Sequence, residues 1–164
     1  MRSEGFETWY RREHPRVLAA CLALAPDADL ARESTDEALT VALERWPSVQ
    51  EMRCRGGWVQ TVGLNKMRRA LRRRRLERLL PVGRAVKSEP VVLADEELWA
   101  MVRSLPRRQQ NAVMLRYVAD LTELDIAEVM GVSRGTVAST LHDARRRLRH
   151  VINDPLIAEE ALDG

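Results

Sequence analysis

The chain has 164 residues, enough for one ordinary domain or for two small ones of roughly 70 residues each. A hydrophobic fraction of 45%, a charged fraction of 31% and only 4% aromatics, with Ala, Leu, Arg and Glu abundant, fit a globular protein built from helices. No apolar run approaches the roughly 18 residues of a membrane span, and no signal peptide is visible, so the expected place of the protein is the cytoplasm.

Charge is segregated. The formal net charge is only +3, with a pI near 9.3, yet the cations gather in two blocks and the acids lie elsewhere. That layout suits a polyanionic partner, although a uniformly solvated surface would have the same composition. Cys21 and Cys54 form no CxxC or Cys/His cluster, which points to a reducing cytosol and no disulfide framework. Cys21 lies in an apolar stretch and reads as a buried thiol.

In chain order, Phe6, Trp9, Tyr10, Val17, Leu18, Cys21, Leu22 and Ala25 recur at three- and four-residue spacings and predict one helix face. Pro15 falls inside that pattern and implies a kink or a junction of two helices. A second helix is expected from Asp29 to Trp46, with Leu30, Ala38, Leu39, Ala42 and Leu43 inward and Glu33, Asp36, Glu37 and Glu44 outward; Pro47 ends it. Residues 47–57 read as a loop closed by Gly56-Gly57. The third helix starts near Trp58, carries Val59, Val62, Leu64, Met67 and Leu71, and then turns strongly basic. Residues 79–94, with two prolines and a glycine, read as a flexible interdomain linker.

The second half opens at Asp95, an expected N-cap followed by Glu96 and Glu97 at the positive end of a helix dipole. Pro106 suits the first turn of the next helix, which buries Val113, Met114, Tyr117 and Leu115. Thr122, with Asp125 three residues on, predicts a capped helix that ends at Gly131. Ser133 caps a fourth helix running to about Ile152, and Asn153-Asp154-Pro155 leads into a short acidic tail.

Residues 122–148, TELDIAEVMGVSRGTVASTLHDARRRL, carry the sharpest signal. A helix-turn-helix needs a small residue at the helix crossing, a glycine in the turn and a branched apolar residue pinning the second helix. Ala127, Gly131 and Val137 fill those roles, and Ile126, Met130, Val132 and Leu141 supply the apolar positions between them. A plain helical hairpin is the simpler alternative. In the DNA-binding reading Arg134, Thr136, Ser139, Thr140, His142 and Asp143 are exposed to the major groove. Ser133 brings a helix N-terminus towards a phosphate, Arg145 and Arg146 supply phosphate contacts, and Val137 and Leu141 belong to the core.

The other basic block places seven arginines (Arg68, Arg69, Arg72, Arg73, Arg74, Arg75 and Arg78) within eleven residues. Such guanidinium groups repel one another unless an anion relieves them, and a phosphate backbone does so with strong salt dependence. A solvated helix end, a membrane-surface patch or a flexible basic arm would share the pattern.

The stretch from Leu105 to Arg149, with its LP-x-RQ helix start, LRY, IAEVMGVSRGTV and LH-x-AR-x-x-L, resembles the C-terminal DNA-binding region of sigma-70-family transcription factors, closest to the two-domain extracytoplasmic-function (ECF) subgroup. The resemblance implies that this region reads the −35 promoter element as duplex DNA. The family usually carries basic side chains at the positions of Ala138, Thr140 and Asp143, and here two are neutral and one is acidic. Phe6 and Tyr10, the helix ending in Trp46 and GGWVQTVGLNKMRRALRRRR resemble the family's promoter-melting domain. By that likeness Trp58, Asn65, Lys66, Arg68, Arg69, Arg72 and Arg73, with the loop Val49 to Gly57, face the −10 element. Leu30, Glu33, Asp36, Glu37 and Leu39 face the clamp of the polymerase β′ subunit.

The expected architecture is all-α: a domain over 1–78, the linker 79–94, a four-helix helix-turn-helix domain over 95–153 and the tail 154–164. The expected partners are core RNA polymerase (β′ clamp and β flap), promoter DNA and an anti-sigma factor. No phosphate-binding glycine loop, metal-ligand spacing around His14, His142 or His150, or nucleophile motif is present, so no cofactor, metal or catalytic residue is expected. Trp46 and Trp58, the aromatics nearest the basic helix, read more readily as core than as platforms for unstacked bases. A stand-alone helix-turn-helix regulator and a degenerate sigma-like polymerase adaptor remain open beside the sigma-factor reading.

Overall fold

The computed structural model describes residues 5–80 and 95–149, which are helical throughout apart from turns, caps and short loops. It divides into two compact units, Met1–Val92 and Leu93–Gly164. Most of the expected linker, the end of the last helix beyond Arg149 and the acidic tail lie outside the described residues.

The first unit packs α1 (Phe6–Leu24), α2 (Ala28–Glu44) and α4 (Arg55–Arg78) against one another, with the single turn α3 (Trp46–Val49) between the last two. α1 is one uninterrupted helix that carries Pro15 in its interior. Loss of one backbone hydrogen bond at Pro15 costs about 3 kcal/mol, which burial of Trp9, Val17, Ala20 and Cys21 from the same helix outweighs. Asp27 caps α2, its carboxylate accepting from the Leu30 amide at 3.0 Å. Phe6, Trp9 and Trp46 form an aromatic cluster with ring centroids 5.1–5.7 Å apart, in which Trp9 is buried and Trp46 half-buried.

Three expectations need correction here. Pro47 does not simply stop α2; it sits in the first turn of α3, where a missing N–H costs nothing. Gly56-Gly57 do not close a loop but lie inside the first turn of α4. A side chain at Gly56 would meet the buried carboxylate of Glu13, with Oε2 only 3.0 Å from the added carbon. Leu43, expected inward, is exposed, because the inner face of α2 is completed by Leu39 and Ala42. Within the core, Cys21 is fully buried, and burial pushes its thiol up to about 11, against smaller opposing effects from a Thr35 hydrogen bond and the charge of Arg68.

In the second unit, α5 (Glu96–Ser104), α6 (Arg107–Val113), a π-helical turn (Met114–Val118), α7 (Glu123–Met130) and α8 (Arg134–Leu148) surround Leu105, Ala112, Val113, Met114, Leu115, Ile126, Val137 and Leu141. Asp95 precedes α5 in a left-handed conformation, φ 58, and its side chain makes no capping bond, contrary to expectation. Tyr117, expected in the core, is exposed: the wider π turn, closed by the Ala119 amide on the Met114 carbonyl at 3.1 Å, carries it to the surface.

Candidate nucleic-acid interface

Local chemistry sets the helix-turn-helix geometry. The Thr122 hydroxyl accepts from the Asp125 amide at 3.2 Å and donates to the Asp125 carboxylate at 2.7 Å, which fixes the start of α7. The end of α7 is a Schellman turn: the Gly131 amide reaches the Glu128 carbonyl at 3.2 Å, and the Val132 amide reaches Ala127 at 3.0 Å. Gly131 holds φ +65 there, a backbone that a β-carbon would strain. Ser133 then accepts from the Thr136 amide at 3.1 Å and starts α8. Arg134 reaches back to Glu123 at 3.3 Å and ties the two helices across the turn.

Val137, Leu141, Ala144 and Leu148 turn one face of α8 into the core. At about 100° per residue, Thr136, Ser139, His142, Asp143 and Arg146 share the opposite arc. Thr140 flanks them, half-buried. Arg145 is not in this set. It points a quarter-turn away, donates from Nε to the Tyr117 hydroxyl at 2.9 Å, and lines an apolar cavity of about 190 Å³ with Leu98, Trp99, Val102 and Val113. Arg146 lies 3.7 Å from Asp143 on the exposed face.

On α4, Val59, Gly63, Leu64, Met67 and Ala70 face inward, so the same periodicity places Trp58, Asn65, Arg68, Arg69 and Arg72 along the outward stripe. Arg69 and Arg72 are exposed, and Trp58, Asn65 and Arg68 are half-buried. Lys66 and Arg73, expected with this set, turn instead towards α2: Lys66 lies 2.9 Å from Glu37, and Arg73 lies 3.6 Å from Glu33. Arg74 pairs with the α2 cap Asp27 and is mostly covered. The arginine run is thus divided by helix geometry into an outward cationic stripe and a flank neutralised by α2.

Glu33, Asp36, Glu37, Thr40, Val41 and Glu44 line a shallow groove on α2, with Lys66 at its edge. Leu30 and Leu39, expected to face the polymerase, are 5% and 2% exposed and pack inside the unit, so only the acidic row presents a surface. Sequence reading missed Leu43, Tyr117 and Glu13. Leu43 carried no signal, because its spacing matches the core positions of α2. Glu13 sits in the periodic run of α1, where a charged residue at an inward position was the available sign.

Residues 95–148 match the family model described as sigma-70, region 4. Similarity to known proteins extends over most of the chain. It is 30% identical over 140 residues to the ECF RNA polymerase sigma factor EcfG of Rhodopseudomonas palustris, an alignment that covers 82% of this chain and 77% of that protein. The chain belongs to the ECF sigma factors of the sigma-70 family. Another relative, the RNA polymerase sigma-E factor of Streptomyces coelicolor, is 29% identical over 150 residues, covering 88% of this chain and 84% of its own length. The fold of this ECF sigma factor is also that of the sigma factor RpoE in its co-crystal structure with the anti-sigma factor NepR from Bartonella quintana. That match has a TM-score of 0.69 at 21% identity, over 88% of this chain and 94% of that one.

Among the described residues no helix of this ECF sigma factor is long and apolar enough to cross a membrane. No group of three or more His, Cys, Asp or Glu is placed there to hold a metal ion.

Proposed function

We propose a division of labour in which separate helix faces of this sigma factor serve polymerase and promoter. The chain binds core RNA polymerase and directs promoter-specific initiation of transcription. The acidic row Glu33, Asp36 and Glu37 of α2 docks on the polymerase clamp. The outward stripe of α4 (Trp58, Asn65, Arg68, Arg69 and Arg72) meets the −10 element as it opens, and α8 reads the −35 element from the major groove. An anti-sigma factor is a further proposed partner. The work takes place in the cytoplasm and assigns no covalent step, cofactor or metal to the chain.

One observation carries the reading: the same helix pair separates its charges, with α2 acidic and the far side of α4 cationic. Exposed cations on one face, with no described carboxylate paired to Arg69 or Arg72, suit a phosphate backbone, whereas Lys66 and Arg73 are already compensated. The test is reconstitution with core polymerase and promoter-specific run-off transcription. Replacing Arg68, Arg69 and Arg72 together by Ala abolishes the open-complex footprint and leaves polymerase binding intact. A footprint that persists in the triple variant refutes the assigned melting face. Tight operator binding by the free chain without any run-off product would favour the stand-alone regulator.

A further inference from the structure

The outward arc of α8 is chemically unusual for a surface that meets a polyanion. Arg146 stands 3.7 Å from the carboxylate of Asp143, so these two charges offset each other, and Arg147 is exposed at the edge of the arc. Two hydroxyls of this face add no donors. Ser139 and Thr140 both give their protons to the Thr136 carbonyl, at 3.0 and 2.7 Å, and present only lone pairs outward. Together with Asp143, whose side chain is 49% exposed, they set hydrogen-bond acceptors beside the donors of His142 and Arg146.

An exposed carboxylate on such a face has few partners on DNA. Phosphate oxygens accept and repel a carboxylate, so Asp143 gains nothing from the backbone. The donors on the major-groove floor are the exocyclic amines of cytosine and adenine, and a carboxylate pairs with cytosine N4. We propose that Asp143 is a specificity-determining residue of this sigma factor, selecting cytosine at one position of the upstream promoter element. Arg146 beside it keeps further N–H groups that can donate to guanine O6 and N7, the complementary edge for a guanidinium. The proposal rests on the reading of α8 as the duplex-reading helix.

The experiment uses the full chain with core polymerase on a promoter library randomised across both elements, with every transcript sequenced back to its template. The wild-type chain enriches cytosine at one upstream position by about tenfold, the discrimination of one good base contact. Asp143→Asn moves the preference at that position to adenine, which Asn reads through N6 and N7. Asp143→Ala flattens that position and leaves the others unchanged. Transcripts whose base preferences are identical in all three chains overturn the proposal while leaving the sigma-factor reading intact. So does an even gain across all templates in Asp143→Ala, which would make the acid a mere brake on phosphate binding. No template-dependent transcript from the wild-type chain overturns both.

Discussion

Gly63 carries no side chain because three helices meet there. A β-carbon would lie 2.7 Å from Cγ1 of Val17, 3.5 Å from Sγ of Cys21 and 3.7 Å from Cβ of Ala38. Gly63→Ala therefore overpacks the first unit and lowers its stability by about 1–3 kcal/mol. Val17→Ala in the same chain recovers part of the loss, a coupling that urea unfolding of the double-mutant cycle measures. Cys21, in the same contact, prefers its neutral form when folded. A thiol raised from 9.0 to about 11 contributes stability that is complete below pH 9.0 and is lost as pH rises through about 11. Cys21→Ala removes that part of the alkaline decline, visible as a flatter stability profile over this window. In the folded wild type the thiol resists alkylation near pH 8 and reacts once denaturant exposes it.

At the scale of elements, the caps decide where the reading helix begins. Ser133 satisfies the Thr136 amide, so Ser133→Ala costs about 1 kcal/mol in unfolding measurements. Because the same turn aims the N-terminus of α8, that substitution also weakens duplex binding on every sequence alike. Thr122, Gly131 and Ser133 were legible in the sequence because caps and left-handed turns depend on near neighbours. The start of α4 was not. Gly56-Gly57 looks like a turn to any local rule, whereas in the fold it opens α4 with Gly56 close against the Glu13 carboxylate of α1. Tyr117 was misplaced for a related reason: a π turn shifts the periodicity that assigns its face.

For the molecule as a whole, the functional question is which of its 27 Lys and Arg residues reach DNA. Removing Arg69 and Arg72 lowers the slope of log affinity against log salt by about 2 for promoter binding by the reconstituted holoenzyme. Lys66→Ala and Arg73→Ala change it far less, since their cations already face Glu37 and Glu33. An equal loss of slope from both pairs would remove the distinction between the two sides of α4.

The order of residues alone determined the all-helical class, the helix-turn-helix and its buried Val137 and Leu141, and the concentration of cations on two helices. Each of these follows from periodicity and capping over a few turns. Tertiary structure decided what no local pattern records: that Leu30 and Leu39 are enclosed while Leu43 is not, that Arg145 leaves the reading face for Tyr117, and that α2 and its cap claim Lys66, Arg73 and Arg74 from the cationic helix. Burial and charge pairing depend on which other helix lies opposite, and that neighbour can be dozens of residues away in the chain.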